Sequence, residues 1–421
     1  MASPSPALTG EQITNTQKGE SMRLRRITGL VGVAALALVA VGCGSDDSGG
    51  SDTTAAAAGT EAPASTEAPA GSESPVTTGE LKPVKLQLQW VTQAQFAGYY
   101  AAVDQGYYTD AGLDVEILEG AVDITPQTVL AQGNADFAIA WVPKALATRE
   151  EGALITDIAQ IFQRSGTLQV SSKEQNLDDP AKLAGKKVGN WGFGNEFELF
   201  AGMTEAGLDP ATDVSLVQQD FDMQALLSGD IDAAQAMTYN EYAQVLEATN
   251  PATGELYTPE DWTVINWNDV GTAMLQDAIW ADSEKLASDP EYKETATAFV
   301  KASIQGWIYC RDNPEACVDL VLAQGSQLGA SHQLWQMNEI NKLIWPSPDG
   351  IGHIDQALWD QTVQVALNAK NAEGSTVITA EPDADAYTNE IVDAALAELS
   401  GEDTTGDGFE PLTVTLNEGG A

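Results

Sequence analysis

Three tryptophans, Trp90, Trp141 and Trp191, each close a run that reads as a β-strand: "VKLQLQW", "DFAIAW" and "KKVGNW". Aromatic faces at three strand ends can sandwich a flat heterocycle, burying large areas with offset stacking. Core packing is the ordinary role of any one of them; their equivalent places in three units point to a pocket. The first is followed by Gln93, Gln95 and Phe96, where a strand end feeds directly into a helix start. The third is followed by "GFGNE" (192–196), whose glycines allow close backbone approach and whose Asn195 suits a helix N-cap. Further on, "MTYNEY" (237–242) offers Tyr239 and Glu241 at the opening of another helix. A carboxylate there can accept hydrogen bonds from ring N–H or exocyclic NH₂ groups, and it equally suits a solvated acid favoured by the helix dipole. Asp277 interrupts the apolar run "AMLQDAIWA" and is either a hinge or a ligand contact. No Ser–His–Asp or His–Cys set, HExxH or Cys–His zinc spacing is present. "DTTGDG" (403–408) lacks the full twelve-residue calcium-loop pattern and lies in an acidic stretch where solvation is the default. The chemistry on offer is binding, without cofactor or metal.

The elements that position these residues alternate in kind. Strand patterns at 84–90, 112–118 and 136–141 are separated by helical patterns beginning at Phe96, near Pro126 and near Pro143. "ITDIAQIFQRSGTLQVSSKE" reads as one or two long strands, a connection between two lobes. A second series follows: a strand before Trp191, a helix from about residue 197, then "VSLVQQD", "MQALLSGD", "IDAAQAMT" and "YNEYAQVLEAT". Such βαβ spacing argues for mainly parallel sheets with helices on both faces. "TAMLQDAIWA" carries the chain back, and residues 282–399 are almost all helical. The expected division is 83–172 plus 272–400 as lobe I and 173–271 as lobe II, with 401–421 an acidic tail.

Upstream, "MRLRRITGLVGVAALALVAVGC" has a basic start, a short apolar run and small residues before Cys43. This is the order of a bacterial lipoprotein signal, with residues 1–43 as start region and signal, Met1 or Met22 as the start, and Cys43 as the lipidated residue. Residues 44–82 are rich in Ser, Thr, Ala, Pro and acids, and they read as a disordered tether. Cys310 and Cys317 either pair across a helix–helix turn or remain two buried thiols. With 62 acids against 19 bases the formal charge is −43. Only Arg149, Arg164 and Arg311 lie beyond the signal, which excludes nucleic acid as a partner.

"LQLQWVTQAQFAGYYAAVDQGYYTDAGLDVEIL", "GNADFAIAW", "VGNWGFGNEFEL", "LLSGDIDAAQAMTYNEY" and "GTAMLQDAIWA" together resemble the thiamine-pyrimidine-synthase-like family of type 2 periplasmic solute-binding proteins. The resemblance implies a two-lobed α/β protein with the ligand cleft between the lobes. It implies a monomeric, extracytoplasmic, lipid-anchored protein that delivers a small molecule to an ABC permease. The ligand expected is a thiamine pyrimidine precursor or a riboflavin-like heterocycle, with nitrate, sulfonate or taurine as the alternative. In the pyrimidine-binding relatives a glutamate in the motif of Glu241 contacts the ligand. The family also contains enzymes of thiamine biosynthesis that carry a lysine and, four residues later, a histidine. Ala140 and Lys144 occupy those places here, which speaks against the enzyme reading.

Overall fold

A computed structural model describes residues 80–421; the signal, Cys43 and nearly all of the tether lie outside the described residues. The strands are β1 (Lys82–Gln87), β2 (Leu113–Leu118), β3 (Phe137–Trp141), β4 (Ile155–Gln160), β5 (Thr167–Ser172), β6 (Lys187–Asn190), β7 (Ser215–Gln218), β8 (Ala233–Met237), β9 (Trp262–Asn266) and β10 (Asp277–Asp282). They form two five-stranded sheets, ordered β2-β1-β3-β10-β4 and β7-β6-β8-β5-β9. Three strands of each sheet run parallel, joined by helical crossovers. The fourth position in each is filled by a strand that has just crossed from the other lobe, β10 in one and β5 in the other. Both lie antiparallel to their neighbours. The sheets are therefore mixed, and the same strand plan occurs twice.

The run 155–174 holds two strands, one per sheet, with residues 161–166 crossing between them. β5 was expected in lobe I; it pairs with β8 and β9, so the crossing precedes residue 167. The pairing decides this, because β5 is continuous in pattern with β4 and only its hydrogen-bond partners assign it. β9, "WTVIN", is an edge strand beside β5 that is not among the strands expected from the sequence.

Late helices cover the first sheet. The longest, Pro290–Asp312, starts from Asp289, whose carboxylate accepts from the N–H groups of Glu291 and Tyr292. Its Phe299 stacks on Phe137 of β3 at 4.4 Å between ring centroids. Cys310 near its end is bonded to Cys317 of the next helix, with Cα atoms 5.5 Å apart. Residues 401–421 are mostly exposed but are tied to the body at several points. The Asp403 carboxylate accepts from Gly406 N at 2.9 Å and pairs with Arg311, so the suggested calcium loop is a closed turn on an arginine. Beyond it, Leu412 N donates to Asn338 Oδ1 at 2.7 Å, and Gly420 is buried.

Candidate ligand-binding site

The cleft is built where the strand ends of both sheets meet, the position open α/β sheets reserve for ligands. It encloses about 700 Å³, counting the part open to solvent. Trp90, Gln93, Gln95 and Trp141 line it from the first sheet's side, and Trp191, Asn195, Tyr239 and Glu241 line it from the second. Trp141 is the last residue of β3, Trp191 follows β6 by one residue, and Trp90 stands three residues beyond β1. Trp90 is half-buried, with its ring 5.0 Å from Phe221. Trp191 stacks on the same phenylalanine from the other lobe, 6.1 Å away at 22° between planes.

Asp277 does not line the cleft. It opens β10 opposite Trp141 of β3 and sits behind the wall, fully buried. Its Oδ1 accepts from Gln89 Nε2 at 2.5 Å and from Trp141 Nε1 at 2.8 Å, and its Oδ2 accepts from Gln95 Nε2 at 2.9 Å. Gln95 Oε1 in turn accepts from Gln93 Nε2 at 2.6 Å. One carboxylate thus fixes Gln89, Trp141 and Gln95 in the cleft and, through Gln95, Gln93 as well. Burial pushes its pKa up to about 7, against the pull of these donors and of Lys144.

Glu241 is the carboxylate in the wall. Its Oε2 accepts from Met237 N at 2.9 Å and its Oε1 from Asn240 Nδ2 at 2.9 Å. Each oxygen keeps a lone pair for a ligand donor. Burial raises its pKa to about 7. Lys144 also faces the cleft, its Nζ 5.0 Å from the centre of the Trp141 ring. Desolvation lowers its pKa to about 8, partly offset by Glu196 and Asp277.

Two expected roles are corrected. Phe96 is fully buried in the hydrophobic core of the first lobe, because the 3-10 turn Ala94–Phe96 points it inward as the helix Ala97–Asp104 begins. Asn195 does not cap the following helix; Glu196 holds that position, and Asn195 Nδ2 donates back to Gly192 O at 2.7 Å. The structure adds Gln89, Val122, Phe193 and Phe221 to the wall. Phe193 is 73% exposed at the mouth and has φ of +56°, a conformation uncommon for a residue with a side chain. The two glycines beside it were the readable sign; Phe221 had none.

The family description NMT1/THI5 like matches residues 93–317, more than half of the chain and most of this cleft. The chain belongs to that family. It is 24% identical over 290 residues to the formylaminopyrimidine-binding protein of Halalkalibacterium halodurans, covering 67% of this chain and 84% of that one. It is 27% identical over 330 residues to the riboflavin-binding protein RibY of Chloroflexus aurantiacus, covering 74% and 86%. Among solved structures the periplasmic aliphatic sulphonate binding protein SsuA of Escherichia coli superposes with a TM-score of 0.51 at 13% identity, over 79% of this chain and 93% of that one. The fold is the two-lobed type 2 periplasmic one. Family and fold together are those shared with these small-molecule-binding proteins. Among the described residues no three His, Cys, Asp or Glu side chains converge as a metal site. Ala140 lies in the core of β3, and Lys144 stands alone in the cleft without a histidine.

Proposed function

We propose that this protein captures a small planar nitrogen heterocycle between its lobes, closes over it by hinge motion, and presents it to a membrane permease. The observation that carries the reading is the pairing of aromatic walls from both lobes with a buried carboxylate, Glu241, among them. Trp90, Trp141 and Trp191 supply stacking area, and Glu241 accepts from ring N–H or amino groups, as an aminopyrimidine or isoalloxazine edge presents. The two sequence relatives are named for such ligands, which agrees with this composition.

A sulfonate, taurine or nitrate is the second reading. Lys144 favours it, because its ammonium lines the cleft and has no hydrogen-bond partner among the described residues. Against it, Glu241 lines the same space, the charges of Glu196 and Asp277 act on Lys144, and no arginine lines the cleft. A thermal-shift screen of an aminopyrimidine, riboflavin, taurine, an alkanesulfonate and nitrate separates the two. Stabilisation by the heterocycles supports the proposal; stabilisation by the anions alone transfers the assignment to the second reading.

A further inference from the structure

Behind Glu241 the hydrogen bonds continue away from the cleft. Asn240, whose Nδ2 donates to Glu241, turns its Oδ1 toward His332 Nε2 at 3.0 Å. His332 Nδ1 lies 2.8 Å from Glu247 Oε1, and both residues are buried. An amide oxygen and a carboxylate oxygen are acceptors, so each ring nitrogen facing them carries a hydrogen. In this arrangement His332 donates from both sides, to Asn240 and to Glu247. Suppose Nε2 loses its proton. It becomes an acceptor, and the Asn240 amide must turn over to donate to it. The amide oxygen then faces Glu241, and two acceptors meet unless Glu241 takes up a proton.

We propose that His332, acting through Asn240, holds Glu241 as an acceptor-only carboxylate toward the ligand, and is thus a positioning residue for recognition. The proposal rests on the reading of Glu241 as a ligand contact. Burial raises the pKa of Glu241 to about 7 even with the charge of His332 and the hydrogen bonds of Met237 and Asn240 pulling it down. A modest push therefore decides its state near neutrality. The ionisable groups around His332 are Glu247 and Glu241 from the second lobe and Glu339 on its own helix, which pairs with Lys342. The covering segment adds Glu418, held by Thr249 at 2.7 Å. That segment also shields the relay. Gly420, with φ of +77°, lies so close that a Cβ there would stand 3.0 Å from His332 Cβ and 3.1 Å from Glu247 Oε2. Water is kept from the ion pair on that side.

The chain has two histidines, so ring ¹⁵N spectra of the ligand-free protein read His332 directly, with the partly exposed His353 as internal reference. At about pH 6.5 both ring nitrogens of His332 should carry a hydrogen, and Glu241→Gln and Asn240→Leu should each displace the Nε2 resonance. A ring with one bare nitrogen, or an Nε2 resonance indifferent to both substitutions, overturns the relay. Binding of riboflavin and of an aminopyrimidine is then titrated against pH. In His332→Gln the acid limb of affinity should move up by about one unit, giving roughly tenfold weaker binding near pH 6 and wild-type binding near pH 9. In the Asn240→Leu background His332→Gln should add a smaller displacement than in the wild type, because only the through-space charge is then lost. Equal weakening at every pH would mean a merely structural role and would sink the proposal. If neither probe binds at any pH, the heterocycle reading fails, while the ring spectra still decide the relay.

Discussion

Trp90 and Phe96 lie six residues apart and answer to different forces. Trp90 is half-exposed in the cleft with Phe221 against its face, whereas Phe96 is fully enclosed by the first lobe's core. Trp90→Ala should therefore cost about 2–4 kcal/mol of affinity for a stacked heterocycle, with little change in the melting temperature of the free protein. Phe96→Ala should do the reverse, lowering stability by about 3–5 kcal/mol through the cavity it leaves. Calorimetric titration and melting of the two variants distinguish these roles; an intact affinity in Trp90→Ala would place the ligand elsewhere. Glu241→Gln keeps the shape but removes a charged acceptor, and should weaken binding by about 1.5–3 kcal/mol. Of the pocket residues, the tryptophans were legible because aromatic residues closed three strand patterns. Lys144 was legible only as a counterpart to a missing histidine, and Phe221 not at all, since nothing local marks a loop residue that reaches across a cleft.

At the level of elements, the helix Ala330–Ile344 joins the lobes beneath the cleft. Its Gln333 and Gln336 accept from Ala94 N at 2.6 and 2.8 Å, steadying the turn that carries Gln93 and Gln95. Its Trp335 Nε1 donates to Thr238 O at 3.0 Å on the second lobe, beside Tyr239 and Asn240. No pattern in its sequence announced this, because helical periodicity reports that a face is buried and not what it is buried against. The disulfide Cys310–Cys317 ties the preceding helix pair across a sequence separation of 7. So short a loop limits the gain. Replacing both cysteines by serine should lower stability by about 2–3 kcal/mol and leave ligand affinity within error, as melting and titration would show. A large loss of affinity would mean that the helix pair supports the cleft more directly than its distance suggests.

For the molecule as a whole, the two crossings between lobes meet a buried acid. Glu198 accepts from Ser165 Oγ at 2.9 Å beside the first crossing and from Met274 N at 2.7 Å in the second. Burial raises its pKa to about 8, while Asp277 and Glu241 rise to about 7. Groups whose folded pKa exceeds the unfolded value bind more protons in the folded state, so stability falls as pH rises from about 4.5 toward 8. Lys144 enters with the opposite sign only above about 8. The ligand-free protein should melt higher near pH 5.5 than near pH 7.5, and Glu198→Gln should narrow that difference. A melting temperature that rises with pH across this window would contradict the assignment. The net charge of −43 adds repulsion in the same direction, which is why the variant is needed. Anchoring is a separate matter: Cys43→Ser should move the protein from the membrane to the soluble fraction with its melting unchanged. Retention of the variant on membranes would rule out lipidation at Cys43.

Composition and local pattern by themselves determined that this chain is an acidic α/β protein with two βα series, a returning strand and a helical covering. Alternation every second residue and helical repeats are written in neighbouring residues, so they survive without the fold. What only the tertiary structure decided is partnership over long separations. β5 belongs to the second sheet because its backbone pairs there, and 403–408 closes on Arg311 because the fold brings them together. Asp277 reads locally as an interruption in a strand; its three donors come from residues 136 to 188 positions away, and only packing turns the interruption into the support of a pocket wall.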